Sequence, residues 1–365
     1  LTYLRHLVII TLVFTIIDWS LASFYFIILF ISSVTMLKVA ECSERRLLFH
    51  KRNLYPMPGV RIKKGSKTAF IVNGRGKNRL RFLKKFEQHK SLLHGEFHVV
   101  TTSFVGHAQR LAEEMAKDGF SNIIAAGGDG TLHEVANGVS NAGQTDIVIG
   151  LFPNGTANDY ARTMGVSTNI AHLFAQINQG HFTPVNLGVV HFADDQKKTF
   201  VNIAEIGLGV DVVQRVNRSS RWLGPNTTFA TAIIQSFLSY KNRHILVETD
   251  DWNWEGLVNS FVMANGRFFG SGLCIAPEAS PVSTDLSVVI ICDISIKDYL
   301  KHLPKLKKGE KLDHPQVIYK RAGKLKITSN ETLGIEADGE FLGNGPVTVS
   351  VEPKALNFLT GSDLI

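Results

Sequence analysis

The stretch NIIAAGGDGTLHEVANGV, Asn122 to Val139, decides how this chain is read. An apolar run, Ile123 to Ala126, meets Gly127, Gly128, Asp129, Gly130 and Thr131, and a helical pattern starts at once with Leu132, Val135 and Val139 on one face. The order is strand, tight turn, helix. Such a turn suits a polyphosphate, because glycine lets the backbone approach a ligand and the helix start offers unpaired N–H groups at a positive dipole end. Gly128 and Gly130 are therefore expected to leave little room for a side chain. Thr131 is positioned to cap the helix, and Asp129 sets a carboxylate where a phosphate-bound Mg²⁺ would sit. A purely structural glycine turn has the same pattern, so the decision rests on what surrounds it.

A second stretch supplies the context. The buried-looking run Ile147 to Phe152 leads into PNGTANDYART, Pro153 to Thr163, again a strand, then a turn holding Gly155, Thr156 and Asn158, then a helix with Asp159 in its first turn. Two phosphate-type turns thus fall on neighbouring strands. GGDGT followed by GTANDYAR resembles the bacterial lipid kinases built on the diacylglycerol kinase catalytic domain, relatives of NAD kinase and sphingosine kinase. The resemblance runs from about Thr68 to the C-terminus. The pairing makes it specific, since GGDGT alone also fits NAD kinase. It implies an ATP-dependent, Mg²⁺-assisted kinase that phosphorylates a hydroxyl of a membrane lipid such as diacylglycerol. The nucleotide would lie against Asn73, Thr102, Gly127, Gly128, Asp129, Gly130, Thr131, Gly155, Thr156, Asn158 and Asp159.

At 365 residues the chain can hold two domains. Three cysteines, Cys42, Cys274 and Cys292, are far apart and lack metal-ligand spacing, so neither a disulfide framework nor a zinc site is supported. The net charge of +7 is local: Lys38 to Lys85 holds 15 Lys and Arg against two acids. No recognition motif or basic–aromatic platform accompanies it, which argues against nucleic acid and for an anionic membrane surface. Leu7 to Leu37 is apolar apart from Asp18 and several hydroxyl residues, and Trp19 to Leu37 is long enough for one bilayer crossing. Residues 1–42 are therefore expected to form a transmembrane anchor, as one pass or a hairpin, and residues 43–66 a basic juxtamembrane linker. The positive-inside rule puts that linker and the domains after it in the cytoplasm, at the bacterial inner membrane. A homodimer is compatible with this reading.

Strand and helix alternate four times from Thr68 to Gly165, which is a doubly wound α/β pattern. Past Phe182 short apolar runs of period two take over, Phe200 to Ile206, Leu257 to Ala264 and Leu286 to Ile291 among them, interrupted by a helical insertion at Trp222 to Tyr240. The expected fold class is thus α/β: an NAD-kinase-like domain over 67–182, a β-rich, sandwich-like lipid-substrate domain over 183–354, and a segment, 355–365, returning to the first. The resemblance puts the helical insertion beside the lipid.

EADGEFLG, Glu336 to Gly343, carries the remaining chemistry. A kinase acting on an alcohol needs an acceptor for the hydroxyl proton, and a carboxylate in a glycine turn between strands can be held rigidly. The resemblance makes Asp338 the base, with Glu340 two residues on as the competitor; Asp-Gly is also the commonest hairpin signal. Two positions depart from the family. Asn186 stands where it usually has an aspartate, and Val282, Ser283 and Thr284 replace an Asp-Asp-Gly turn that binds a structural Mg²⁺, with Asp285 as the nearest substitute ligand. His133 reads as a solvated or capping side chain. The competing readings are an NAD kinase-like phosphotransferase, disfavoured by GTAND, and an inactive lipid-binding regulator, disfavoured by intact Asp129, Thr131, Thr156 and Asp338.

Overall fold

Four short apolar runs make the parallel core, β2 (Thr68–Val72), β3 (Phe97–Thr101), β4 (Asn122–Gly127) and β5 (Val148–Pro153), in the order β3-β2-β4-β5; β2, β4 and β5 are buried on both faces and β3 is a half-buried edge. Successive side chains serve opposite layers. Ile123 and Ala125 face α2 (His107–Lys117) and α3 (Asp129–Ala142), whereas Ile124 and Ala126 face α1 (Lys77–His89) and α5 (Ile170–Gln179), the short α4 (Asp159–Thr163) lying between. The second layer is aromatic: Phe86 meets Phe70 at 4.9 Å and Phe174 at 5.4 Å between ring centroids. This is the doubly wound arrangement expected. The computed structural model of the protein describes residues 60–61, 67–75, 77–219 and 225–360, which belong to one compact unit.

Two long strands carry this sheet into the second half. β6 (His181–Phe192) and β19 (Val347–Leu359) pair antiparallel along most of their length. The last residues of β19 lie parallel to β5, Asn357 opposite Val148, while its first residues pair with β16 (Lys324–Thr328). β9 (Arg243–Glu248) and β10 (Asn253–Val258) extend that side. A six-stranded antiparallel sheet packs against it, in the order β15 (Val317–Ala322), β14 (Leu286–Ile291), β11 (Ser260–Ala264), β8 (Ile203–Gly207), β17 (Gly334–Ala337), β18 (Glu340–Asn344). Phe261, Met263, Val288 and Ile290 point into the space between the sheets; Val262, Ala264 and Val289 point to the far face, under α8 (Ile296–Lys308). The sandwich-like half is therefore apolar on both faces of its second sheet. Helix α7 (Pro225–Ser239) falls within the expected insertion, and a further helix, α6 (Leu208–Arg218), precedes it directly after β8. β7 (Lys197–Phe200) pairs with β6, as does β1 (Val60–Arg61), and β12 (Phe268–Phe269) forms a separate ribbon with β13 (Leu273–Cys274).

The membrane-spanning part of the expected architecture needs correction. Among the described residues no helix is long and apolar enough to cross a membrane. Residues 1–42, from which a transmembrane anchor was expected, and most of the 43–66 linker lie outside the described residues. The expected placement at the bacterial inner membrane with cytoplasmic catalytic domains is corrected with it.

Candidate active site

Helix α3 begins inside GGDGT and reaches in several directions. Asp129 in its first turn accepts the Tyr160 N–H at 3.0 Å, which ties it to the second turn. Thr131, expected as a cap, makes no capping bond; Gly128 is the N-cap, and the Thr131 hydroxyl accepts Asn73 Nδ2–H at 3.1 Å. Glu134 accepts the Gly106 and Ala108 N–H groups, both at 2.9 Å, at the start of α2. His133 and Asn137 face the second half of the molecule.

The two glycine turns are packed on one another. A Cβ built on Gly155 would lie 2.4 Å from the Gly128 Cα, and one on Gly128 would lie 3.1 Å from the Gly155 Cα. The first distance leaves no room for a methyl group, and the second is tight, as expected for Gly128. Gly130 differs: it is exposed, and a Cβ there meets nothing within 4 Å. Asn158, at φ 52, closes the second turn by accepting Gly155 N–H at 2.9 Å and donating to Gly155 O at 3.0 Å. Asparagine tolerates this left-handed backbone better than most residues. Beside them, Thr102 accepts the Gly74 N–H at 3.0 Å, and a Cβ on Gly74 would sit 1.8 Å from Thr102 O, so glycine is required where the chain leaves β2.

Asp159 is buried, and its carboxylate takes Arg162 Nη1–H at 3.0 Å and the Ser271 N–H at 2.9 Å. Burial, and then the charge of Asp129, push it up to about 6. The carboxylates of Asp129 and Asp159 are hard oxygen donors of the kind Mg²⁺ takes, so the residues present fit a divalent ion at Asp129. Asp285 pairs instead with Arg321, at 3.8 Å. Among the described residues no group of three or more His, Cys, Asp or Glu side chains is gathered for a metal. Asn186 serves the fold, donating to Ser283 O and accepting Lys354 N–H at 2.8 Å.

Asp338 and Gly339 form the two-residue hairpin turn between β17 and β18, both with positive φ, 51° and 86°. The Asp338 carboxylate, 2% exposed, leaves the hairpin and accepts backbone N–H groups from Val201 at 2.8 Å, Asn202 at 2.9 Å and Ile203 at 3.1 Å. His133 supplies a fourth donor at 2.8 Å, where solvation or capping was expected. Burial pushes the imidazole pKa down, but the bond to Asp338 and its charge outweigh this and hold it above the usual histidine range. Glu340 is exposed.

Among the described residues a cavity of about 400 Å³ joins these parts. Its wall includes Asp129, Thr156 and Asp159 from the nucleotide-type turns, Asp338 from the hairpin, and an apolar remainder with Leu208, Val212, Phe229, Ile233, Phe237 and Leu306. Glu205 and Glu336 also line it, directly opposite one another on β8 and β17. Burial raises both, Glu336 well above the usual range with the charge of Glu205 adding to it. The sequence hint was a lone acid, Glu205, within the apolar run before Gly207, and Glu336 at the head of EADGE; their facing register was not readable.

An α/β half with two glycine turns, a β-sandwich half with an acidic hairpin, and an apolar cavity touching both define a phosphotransferase for an apolar substrate. The comparisons agree. Residues 67–190 match the diacylglycerol kinase catalytic domain and residues 203–360 the YegS C-terminal NAD kinase beta sandwich-like domain. A "Probable lipid kinase YegS-like" of Pseudomonas aeruginosa is 29% identical over 69% of this chain and 80% of its own. A diacylglycerol kinase of Bacillus subtilis is 26% identical over 72% of this chain and 84% of its own. The solved structure of a diacylglycerol kinase from Bacillus anthracis str. Sterne superimposes with a TM-score of 0.62 at 18% identity, covering 84% of this chain and 100% of that one, a likeness of fold. The chain belongs to the bacterial lipid kinases of the diacylglycerol kinase catalytic-domain family, and as a kinase of that family it uses ATP.

Proposed function

We propose that the protein transfers the γ-phosphoryl group of ATP to a hydroxyl of a diacylglycerol-like lipid, with ATP against the two glycine turns and the acyl part in the apolar cavity. The observation that carries this reading is the single cavity wall holding Asp129, Thr156 and Asp338 beside apolar side chains from α6 and α7. Cavities of several hundred Å³ with a few convergent polar groups are the usual form of small-molecule sites. The alcohol oxygen bonds to the γ-phosphorus, the bond to the bridging oxygen breaks with its electron pair on ADP, and the hydroxyl proton goes to Asp338. Protein contributions to phosphoryl transfer are mostly positioning and charge, and three backbone amides and an imidazole fix the Asp338 carboxylate at the cavity wall. Asp129 would hold Mg²⁺, which supplies positive charge to the phosphates. Arg162, paired with Asp159, keeps that second carboxylate oriented beside the turn.

The test is purified protein with labelled ATP, Mg²⁺ and a panel of lipids in mixed micelles. Asp338→Asn is expected to bind ATP normally and to lose about 10² to 10⁴ in turnover. Asp129→Asn is expected to recover in part as Mg²⁺ is raised, and Asp338→Asn is not. If Asp338→Asn keeps turnover and Glu340→Gln loses it, Glu340 is the acceptor; if both keep it, the hairpin is structural. Failure to label any lipid alcohol would overturn the substrate class.

A further inference from the structure

We infer that His133 is a positioning residue for phosphoryl transfer, holding the Asp338 carboxylate in register with the nucleotide turn through its Nδ1–H. The inference rests on the proposed role of Asp338 as proton acceptor. Three of the four donors to Asp338 come from consecutive residues, Val201, Asn202 and Ile203, all at the entrance to β8. They fix the carboxylate to the β-rich half alone. The fourth comes from α3, whose first residue is Asp129. His133 is four residues further on, so the two side chains leave the same face of one helix, one turn apart. A single rigid turn of helix thus sets the proposed proton acceptor against the proposed Mg²⁺ ligand.

The imidazole is itself held. Asn137 donates through Nδ2 to the His133 carbonyl at 2.9 Å and approaches Nε2 at 3.3 Å, and the Thr199 hydroxyl donates to Asn137 Oδ1. With Nε2 accepting from an amide N–H, the ring proton is assigned to Nδ1, which makes the imidazole the donor to Asp338. The path from Asp338 through His133 and Asn137 ends at Thr199 on β7, so it leaves and re-enters the β-rich half. Replacing the imidazole by an apolar group removes the one donor that comes from the nucleotide side. An acceptor displaced by about 1 Å costs on the order of 10²-fold in rate.

The test compares wild type, His133→Leu, His133→Asn and Asp338→Asn for kcat, the two KM values with ATP and diacylglycerol micelles, ATP affinity by calorimetry, and thermal unfolding. His133→Leu is expected to lower kcat by about 10²-fold with ATP affinity and KM for ATP unchanged. His133→Asn is expected to restore kcat to within about tenfold of wild type, because its Nδ2 lies as many bonds from Cα as the histidine Nδ1. In the Asp338→Asn background His133→Leu should lower the residual rate no further. An unchanged kcat in His133→Leu beside an inactive Asp338→Asn overturns this inference and leaves the Asp338 reading standing. A folded His133→Asn that is down about 10²-fold overturns it also, even where His133→Leu fails to fold. A fully active Asp338→Asn overturns the parent reading and this one together.

Discussion

A Cβ on Gly155 would lie 2.4 Å from the Gly128 Cα, so Gly155 tolerates only a hydrogen atom as its side chain, whereas one on Gly128, at 3.1 Å, would be crowded. Gly155→Ala should force the two turns apart, lowering both the unfolding midpoint and ATP affinity. Gly130→Ala separates the two effects. Its Cβ enters open space in a helix, where alanine is favoured over glycine by about 1 kcal/mol, so the midpoint should rise while ATP affinity falls. Thermal unfolding and calorimetry on the two variants check this. A second residue-scale expectation concerns Glu336. Its folded pKa is raised by burial and by Glu205, so the folded state keeps a proton that the unfolded chain releases above the ordinary value of 4.5. Stability from this group is fully present below that value and is lost as pH rises through the raised folded pKa. Glu336→Gln should remove that loss, and urea unfolding of the two proteins at pH 4.5 and pH 7 should show the variant gaining at the higher pH. Equal pH slopes would contradict the proposed cost of the buried pair.

At the scale of elements, α3 joins more of the site than any other helix described. Its Glu134 holds the first amides of α2, and bonds to a charged acceptor are worth about 1.5–3 kcal/mol. Glu134→Ala should cost about that much in urea unfolding and should speed hydrogen exchange at Gly106 and Ala108 first. This helix was legible in the sequence because its apolar residues recur at helical spacing and glycines precede it. The partners of its polar face were not. His133 meets Asp338 across 205 positions of sequence, and no local pattern encodes that meeting. The run Leu257 to Ala264 reads as one strand but is two, β10 and β11, in different sheets. Asn259 lies at the break, its N–H turned to Ile291 and Cys292 and its carbonyl to Leu208. Apolar residues on both sides of the break, Leu257 and Val258 before it and Phe261 and Val262 after it, hide the change of sheet, although β11 is buried throughout and Leu257 is exposed. The open space beside Gly130 was illegible for a related reason: the glycine pattern identifies a turn without saying which glycine faces another backbone.

For the whole molecule, β6 and β19 make two halves of different architecture into one hydrogen-bonded sheet. Unfolding should accordingly be a single cooperative transition, with far-UV signal and ATP-site fluorescence lost together. Phe358 packs in the first-half core against Tyr160, ring centroids 5.5 Å apart, although it is contributed by the last strand. Phe358→Ala should cost about 3–5 kcal/mol and weaken ATP binding without touching either glycine turn. Two separate transitions in calorimetry would show that the halves are independent.

Synthesis on the ribosome gives the parallel pairing of Asn357 and Phe358 with Val148 and Ile149 another consequence. The first half emerges with one side of β5 unpaired, and the strand that covers it is not made until about 200 residues later. At translation speeds of roughly 5–20 residues per second that edge stays open for on the order of 10–40 s. An exposed strand edge is a template for pairing with another chain. The nascent protein is therefore most prone to aggregate before β19 is complete, and it is this strand that a late nonsense mutation or a misplaced fusion partner would remove or block.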